Sequence, residues 1–455
     1  MKIPFTLSDK RIPIAIGFVS AALIFSLVAP QATHVKLGKR VVDASYPATV
    51  CPSGITGAVS VAYLPNPKIQ VRSVKKNSVA LRSARTYRYG LTNPLFVEGN
   101  PQNILTANSS SGWLASTVCT AGSGDSWFVG GSAGVSSAGY IDLINSGLSE
   151  STVDLIAYSA KGSLPLQSIV ISPNSEEKIF LDTLAPGEDK IAVHAITRAG
   201  RVTAYLVDIR KKGLRSLGAD YVAPASGSTK EVILPGAINN VRKGVQLDQD
   251  IRVLVPGTTD ATVSAEIFSI DGSFSPIGLD NLRVQHGKVI EVALSNLTVS
   301  TPFAVRLSSD QPIVAGMVSQ TKTGTSDFAW SSAASELPVG ERFAINMGGH
   351  LPLISFYGKG RISVQIDYNL SSGKSESVEI SGERKASWRP NGDVNRIEIR
   401  AKSSGVFGGI LFSGTANGGL SYMPLRAGAT LQNSVLPQAD ARVISRGRGT
   451  AGNTN

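Results

Sequence analysis

The stretch YIDLINSGLSESTVDLIAYS, residues 140–159, has a counterpart in DIRVLVPGTTDATVSAEIFS, residues 250–269. The likeness continues to Arg210 in the first copy and to Gln320 in the second. Val193 falls on Val305 and Val202 falls on Val314, both at an offset of 112 residues. A period of roughly 100–110 residues is the size of a domain, because solenoid repeats measure about 20–50 residues. The body of the chain is therefore built from domain-sized repeats.

A third, more divergent copy runs ISFYGKGRISVQIDYNLSSGKSESVEI from residue 354 and continues as RIEIRAKSSGVFGGILFSG from residue 396. Apolar and polar residues alternate over short runs in each copy, as at Ile362, Val364 and Ile366. Such alternation is typical of antiparallel strands with one buried face, and turn-rich clusters such as SAKGSLP separate the runs. The sequence predicts an all-β fold of tandem Ig-like antiparallel β-sandwich repeats.

A second motif recurs between the copies. DYVAPASGSTKEVILPG begins at Asp220, DFAWSSAASELPVG begins at Asp327, and SYMPLRAGATLQNSVLPQ begins at Ser421. Each has one or two aromatic residues before a small, polar stretch and a later Leu-Pro. We expect these joint segments to be extended strands that pack one unit on the next.

The composition limits the function classes. Of 455 residues, 42% are hydrophobic and 17% are charged, which supports folded cores and argues against a disordered chain. With only 2 cysteines and 4 histidines, zinc ribbons, iron–sulfur clusters and histidine-rich metal sites are excluded. The histidines are also scattered along the chain. We expect no metal site, no cofactor and no catalytic residue.

The N-terminus predicts a membrane anchor. An apolar run follows Lys10 and Arg11 and extends from residue 12 to 29. As a helix it would measure about 27 Å, close to the hydrocarbon core of a bilayer at about 30 Å. A cleaved signal peptide is the alternative, but cuts after Ala29 or Ala32 would place Leu27 or Pro30 at the third position before the cut, where a small residue is needed. We favour a retained single-pass anchor with the bulk of the chain outside the cytoplasm.

These observations give a domain organisation, and we expect each repeat to bury its own core. The predicted segments are a cytoplasmic N-terminus (1–11), a transmembrane helix (12–33), an N-terminal β unit (42–126), repeat 1 (127–220), repeat 2 (221–330), a divergent repeat 3 (331–440) and a disordered basic tail (441–455).

The two cysteines, Cys51 and Cys119, are an even pair in a chain predicted to be exported. Oxidising compartments favour disulfides. We therefore expect these residues to be bonded and to close the N-terminal unit.

The N-terminal unit also carries a basic segment. No acidic residue occurs between Ala44 and Val97, while the net charge of the whole chain is +11. Alternation along a strand would place several of the cations on one face, where they either protect an edge strand from pairing or contact anionic lipid or anionic wall polymer. The compartment argues against nucleic acid as a partner. The candidate contact residues are Lys68, Arg72, Lys75, Lys76, Arg82, Arg85 and Arg88.

Two patterns match catalytic motifs but lack the required context. Ser132 lies in a GxSxG sequence, yet residues that predict a strand follow it, whereas a nucleophile elbow needs a helix. Ser319 and Lys322 match SxxK, but the KTG sequence overlaps it instead of lying far away in the chain. We interpret Ser132 as a turn residue and the second match as an accident.

SWFVGGSAGVSSAGYIDLINSG and SSDQPIVAGMVSQ resemble the opening and closing strands of a bacterial envelope repeat. GADYVAPASG and SDFAWSSAASEL resemble the joints of one actinobacterial family of exported, membrane-anchored proteins of unknown function. The resemblance extends from about Val42 to Ala439. It implies a location in the cell envelope and brings no known reaction. We expect a non-enzymatic, membrane-anchored extracytoplasmic scaffold or binding protein with wall glycan or envelope proteins as partners. The alternative is an accessory or cryptic enzyme of cell-wall glycan metabolism.

Overall fold

The structure is a computed structural model of the chain. The predicted transmembrane helix and basic tail lie outside the residues that it describes. No helix within the described residues is long and apolar enough to cross a membrane. The structure describes residues 41–42, 48–426 and 434–435, except for 56–57, 63–65, 77–79, 85–87, 90–91, 99–101, 109–111, 226, 238–239, 243–244, 270–271, 295–301, 323–325 and 414–418.

The described chain is nearly all β, as predicted. Residues 45–431 form one compact unit. The N-terminal unit within it contains β2 (Ala48–Cys51), β3 (Ala58–Ala62), β4 (Asn66–Ser73), β5 (Arg82–Ala84), β6 (Arg88–Tyr89), β7 (Leu95–Glu98), β8 (Gln102–Asn108) and β9 (Leu114–Val118).

Repeat 1 follows with nine strands and a single helical turn. Its elements are β10 (Asp125–Phe128), β11 (Tyr140–Asn145), β12 (Ser151–Ser159), β13 (Gly162–Ser163), β14 (Gln167–Ile171), β15 (Ser175–Phe180), α1 (Leu181–Leu184), β16 (Ile191–Ala199), β17 (Val202–Lys212) and β18 (Arg215–Val222).

Repeats 2 and 3 contain longer strands. Repeat 2 has β19 (Thr229–Ala237), β20 (Asn240–Arg242), β21 (Val245–Leu254), β22 (Ala261–Ser269), β23 (Gly272–Phe274), β24 (Leu282–Val284), β25 (Val289–Ala293), β26 (Phe303–Thr321) and β27 (Phe328–Ser332). Repeat 3 has β28 (Arg342–His350), β29 (Leu353–Leu370), β30 (Ser375–Trp388), β31 (Val394–Ala401), β32 (Phe407–Ser413) and β33 (Leu420–Pro424). In a separate unit of residues 1–44 and 432–455, β1 (Val41–Val42) pairs with β34 (Ser434–Val435).

All four units share one strand arrangement. The two sheets of the N-terminal unit have the orders β2–β7–β4–β5 and β6–β3–β8–β9. Repeat 1 has β10–β16–β12–β13 and β15–β11–β17–β18, which are the same positions in the same order. In repeat 2, β26 takes the place of both β16 and β17, and in repeat 3, β29 takes the place of both β11 and β12. The N-terminal unit is therefore a fourth copy of the repeat.

The strand order differs from that of immunoglobulin domains. When the strands of the N-terminal unit are lettered from A to H, its sheets read AFCD and EBGH. Immunoglobulin constant domains read ABED and CFG, so their F and G strands lie in one sheet. The prediction of an all-β fold is confirmed, with several sheets, and the Ig-like sandwich is not confirmed.

The two sheets of a unit enclose a core, but neighbouring cores share residues. The core of repeat 1 contains Trp330 of repeat 2, and the core of repeat 2 contains Trp127 and Val129 of repeat 1. The core of the N-terminal unit likewise contains Tyr205 and Tyr221 of repeat 1. The expectation that each unit buries its own core is therefore wrong. The reason is that strands of one unit, among them β10, β17, β18 and β27, pack against a neighbouring unit.

The repeat register is confirmed by two buried valines. Val193 lies opposite Ala157, and Val305 lies opposite Ile267, on equivalent strands. Both valines are 0% exposed. Truncating either to alanine should lower the free energy of unfolding by about 1–3 kcal/mol, the transfer and cavity cost of a buried valine. Because the cores are shared, we expect the repeats to unfold in one common transition, and we expect either substitution to shift that transition.

Denaturant unfolding followed by tryptophan fluorescence and by far-UV circular dichroism checks this prediction. The matched control is Val170→Ala, because Val170 lies on β14 of repeat 1 and is 60% exposed. Two separated transitions, with each variant shifting only one, would contradict the shared cores.

The disulfide prediction is confirmed. Cys51 at the end of β2 and Cys119 directly after β9 form a disulfide, and both residues are buried. The bond connects the first and last strands of the N-terminal unit. In the chain-entropy account, a covalent loop of 68 residues stabilises the folded state by about 4 kcal/mol.

Candidate functional site

The last strands of the four units, β9, β18, β27 and β33, pack against one another, and we call them the terminal strands. Ser116, Asp220 and Ser421 lie on β9, β18 and β33, and Asp327 lies directly before β27. All four side chains are buried. Ser421 Oγ lies 2.6 Å from Ser116 Oγ and donates a hydrogen bond to Asp220 Oδ1 at 3.0 Å. A buried polar network thus connects three of the units.

The two aspartates bind backbone groups of neighbouring terminal strands. Each terminal strand is the edge of its sheet, so one side of its backbone lacks a ladder partner. Asp220 Oδ2 accepts the N–H of Trp330 at 2.8 Å. Asp327 Oδ2 accepts the N–H groups of Leu420 at 2.8 Å and Leu114 at 3.1 Å. These bonds satisfy buried donors that would otherwise remain unpaired.

Burial also alters the acidity of this network. Removal from water raises the pKa of Asp220 and of Asp327 well above the usual range, because the ionised form loses its hydration. The charge of Asp327 adds to this effect at Asp220. The hydrogen bonds that the carboxyl groups accept oppose the shift without cancelling it.

Trp330 of β27 joins repeat 2 to repeat 1. Its ring is fully buried in the core of repeat 1, and its Nε1 donates to Asp208 Oδ2 at 2.9 Å. Gly130 makes room for the ring, because a Cβ atom at that position would lie 2.9 Å from Trp330 Cδ2. The tryptophan of the second joint segment is therefore an anchor between units.

Arg252 of β21 forms a second contact between the same repeats. Its Nη1 donates to the carbonyl oxygens of Gly131 at 2.6 Å and Ile191 at 2.8 Å, both in repeat 1. Its Nη2 pairs with Glu291 Oε2 at 2.7 Å. The guanidinium also lies over the Trp330 ring, at 4.9 Å from the centroid. At 2% exposure, Arg252 is a buried cation that binds repeat 1 through Nη1 and Glu291 of its own repeat through Nε and Nη2.

The chain segments that leave the terminal strands line one cleft of about 540 Å³, which we call the junction cleft. At least one lining residue follows each terminal strand; among them are Thr120, Pro224, Ser335 and Arg426. The first strand of repeat 1 and the adjoining segments add hydroxyl, carboxyl and aromatic side chains. These further lining residues include Ser123, Asp125, Ser126, Trp127 and Ser228.

The junction cleft combines one cation with several hydroxyl groups. Burial lowers the pKa of Arg426 to about 10, which still leaves the guanidinium protonated at neutral pH. Asp125 Oδ1 lies 3.0 Å from His194 Nε2, and the imidazole stacks on Trp127 with 3.7 Å between ring centroids. Burial lowers the pKa of His194 more than Asp125 raises it. This chemistry suits a hydroxyl-rich ligand that carries an anionic group.

The basic segment of the N-terminal unit is divided between surface and interior. Lys75, Lys76 and Arg82 are exposed. Arg72 is buried: it donates to Asn174 Oδ1 and to the carbonyl oxygen of Ser146, both in repeat 1. The assignment of Arg72 to an anion-binding surface is therefore wrong, because its strand face meets another unit. The side chains of Lys68, Arg85 and Arg88 lie outside the described residues.

A polar cluster lies at the contact between the N-terminal unit and repeat 1. Ser53 Oγ donates to Glu176 and accepts from Lys178 Nζ at 2.8 Å. Asp142 lies beside this group, and burial raises the pKa of its carboxyl well above the usual range, with the charge of Glu176 adding to the rise. A hydroxyl beside an amine occurs in some hydrolases. Ser53 is only 4% exposed, which suits a structural contact between units.

The serines of the two catalytic-like sequence motifs, Ser132 and Ser319, have structural surroundings. Ser132 Oγ accepts the N–H of Gly134 at 3.2 Å, and the chain continues into β11 without a helix, as predicted. Ser319 is fully buried on β26, while Lys322 pairs with Asp248 at 2.9 Å. The structure does not bring either serine to a base and an acid in the described residues.

Of the four histidines, His194 and His286 bind carboxylates. His286 Nδ1 lies 2.8 Å from Asp260 Oδ1. Among the described residues, no group of three His, Cys, Asp or Glu side chains has a geometry that could hold a metal ion. His34 lies outside these residues.

Sequence reasoning missed the roles of Asp220, Asp327 and Ser421, although a signal was present. Each of these residues is the first letter of a joint motif, DYVAPAS, DFAWSS or SYMPLR. Polar residues at equivalent points of predicted buried strands indicate a shared contact. Ser116 had no such signal, because no joint motif marks the end of the N-terminal unit.

Comparison with known proteins places the chain in a family. No curated protein matches the sequence significantly. One solved structure, described as a tetra-tandem repeat in the extending region of a large adhesion protein, is 11% identical and covers 85% of this chain and 99% of its own, with a TM-score of 0.09. That TM-score is too low to carry an argument. A family model described as "Family of unknown function (DUF5719)" matches residues 103–385, from β8 to β30. Since the match covers more than half of the sequence, the chain belongs to this family of unknown function.

Proposed function

We propose that the protein is a non-enzymatic scaffold or binding protein of the bacterial cell envelope and that the junction cleft is its ligand site. One observation carries this proposal. The segments that follow the four terminal strands line a single cleft, which contains the cation of Arg426 and several hydroxyl groups. Rigid strands position each lining segment, which favours a preformed site.

A membrane anchor at residues 12–33 would hold this body outside the cytoplasm. The apolar run after Lys10 and Arg11 supports the anchor, and the disulfide suits an oxidising compartment. The resemblance of the joint segments supports an actinobacterial envelope. Cell fractionation and N-terminal sequencing test the anchor. The full chain should sediment with membranes, and a mature N-terminus near Thr33 would contradict the anchor.

The ligand that fits the junction cleft is a wall glycan with an anionic group. Arg426 supplies a charge for a carboxylate or phosphate, and Ser123, Ser228 and Ser335 supply hydroxyl groups for sugar hydroxyls. The exposed cations Lys75, Lys76 and Arg82 would add long-range attraction to anionic lipid or wall polymer, which salt screens.

A pull-down of the chain from residue 45 onward on purified wall fractions tests the proposal. We expect retention that falls about tenfold in Arg426→Ala, since a hydrogen bond to a charged group contributes roughly 1.5–3 kcal/mol. Arg283→Ala is the control, because Arg283 is an arginine with an 80% exposed side chain on repeat 2, and it should bind like the parent. Equal retention of both variants, or no retention of the parent, would overturn the proposal.

The alternative is an accessory enzyme of wall glycan metabolism. The hydrogen bond between Ser53 and Lys178 is the observation that favours it. Release of soluble sugar from the same wall fractions by the parent, and its loss in Ser53→Ala, would replace the non-enzymatic proposal.

A further inference from the structure

A second cleft of about 450 Å³ lies between repeats 2 and 3, and we call it the inter-repeat cleft. Its floor is apolar and is formed by Ile233, Phe268 and Phe407, which belong to one buried cluster. Charged side chains and two glycine-containing loops line the rest. The cleft is separate from the junction cleft in its lining residues.

Comparison of equivalent positions in repeats 1 and 2 explains why a cleft remains between repeats 2 and 3. Trp127 lies opposite His194 on the first sheet of repeat 1, and Ile233 lies opposite Arg306 at the matching position of repeat 2. The Trp127 ring lies 5.8 Å from Tyr158, and Phe268 takes the place of Tyr158 in repeat 2. Where repeat 1 buries a tryptophan in its neighbour, repeat 2 has the smaller isoleucine. The interface between repeats 2 and 3 therefore keeps an open volume.

Backbone geometry keeps the loops of the cleft close together. The β29–β30 ladder is interrupted between Tyr357 and Arg361, so Gly358 to Gly360 lie outside it. A Cβ atom at Gly358 would lie 2.7 Å from the carbonyl oxygen of Gly405. Only glycine permits this approach of the two loops.

The charges of the cleft are mixed. Glu231 binds Lys359 at 2.7 Å and Arg306 at 2.9 Å. Glu336 Oε1 accepts the N–H of Gly405 at 2.6 Å. Arg361 is exposed, and no carboxylate of the described residues lies within ion-pair distance of it. The cleft thus offers two carboxylates as acceptors and one guanidinium without an ion pair.

We infer that the inter-repeat cleft binds a saccharide unit that carries one carboxylate or phosphate group. The apolar face of the sugar ring would pack on Phe407, and the anionic group would bind Arg361. Sugar hydroxyls would donate to Glu336 and accept from Ser403. A polyanion would be repelled by the two glutamates and a polycation by Arg361 and Lys359, so a hydroxyl-rich ligand with a single anionic group fits best.

This site stands whether or not the junction cleft binds a ligand. Heteronuclear NMR titration of the chain from residue 45 onward with glucuronate, glucose 6-phosphate and glucose tests it. We expect shifts at the glycines of the two loops, and weaker binding of glucose than of either anion. Comparing the affinities for glucuronate and glucose 6-phosphate shows whether a carboxylate or a phosphate group is preferred.

The variants separate the two parts of the interaction. Arg361→Ala should weaken both anionic ligands by about tenfold and leave glucose unchanged, while Phe407→Leu should weaken all three. Arg283→Ala should match the parent. Glucose binding as tightly as the anions, unchanged binding by Arg361→Ala, or no shift at the two loops with any of the three ligands would overturn the inference.

Discussion

Replacing Arg252 with methionine is expected to lower the free energy of unfolding by about 3–5 kcal/mol, the cost of breaking a buried ion pair from one side. The change keeps most of the side-chain volume. It leaves the carbonyl oxygens of Gly131 and Ile191 without their donor and removes a partner of Glu291. Burial makes each of these losses larger than it would be in water.

Arg283→Met is the matched control for Arg252. Arg283 also pairs with an acid, Asp260, at 3.2 Å, but its side chain is 80% exposed. Exposed ion pairs contribute about 0–1 kcal/mol. Denaturant unfolding of both variants measures the difference, and an equal loss in the two would refute the role of Arg252 as a buried contact between repeats.

Asp327→Ala is expected to cost about 2–5 kcal/mol. The substitution leaves the backbone N–H groups of Leu114 and Leu420 without an acceptor in a buried place, and each unpaired donor costs roughly 1–3 kcal/mol. Asp327→Asn keeps an oxygen for both donors. We therefore expect the asparagine variant to be at least as stable as the parent at neutral pH.

The two aspartates also predict a pH dependence. Their pKa is raised in the folded state, so the folded chain holds these protons more tightly than the unfolded chain does. Their contribution to stability is fully present below about pH 4, the pKa of an unfolded aspartate. It is lost as the pH rises through the folded-state pKa.

Unfolding measurements at several pH values test this sign. Asp327→Asn should lose less stability than the parent between acidic and alkaline pH. A parent whose stability depends on pH no more than that of the variant would contradict the raised pKa of Asp327.

The sequence predicted the repeat and its strands because period-two alternation and turn residues are local signals. Val193 and Val305 were placed correctly on that basis, and Cys51 and Cys119 were paired from their number and compartment. The fourth copy escaped detection because the N-terminal unit shares strand order with the repeats but little sequence. Strand order arises from long-range pairing, which no local pattern records.

The contacts between units were harder to predict for the same reason. Alternation shows that Arg72 and Arg252 lie on strand faces, but it does not show which face meets another unit. The joint segments were predicted to pack one unit on the next, but no pattern in the sequence shows that Trp330 of β27 enters the core of repeat 1. The two clefts depend on which segments meet, so the sequence alone gave no indication of either.

Scanning calorimetry of the chain from residue 45 onward tests the central claim that the terminal strands join four units into one body. The shared cores, the buried network of Ser116, Asp220 and Ser421, and the backbone contacts of Asp327 predict one transition, with equal calorimetric and van't Hoff enthalpies. Several transitions, each with the enthalpy of a single unit, would contradict the claim.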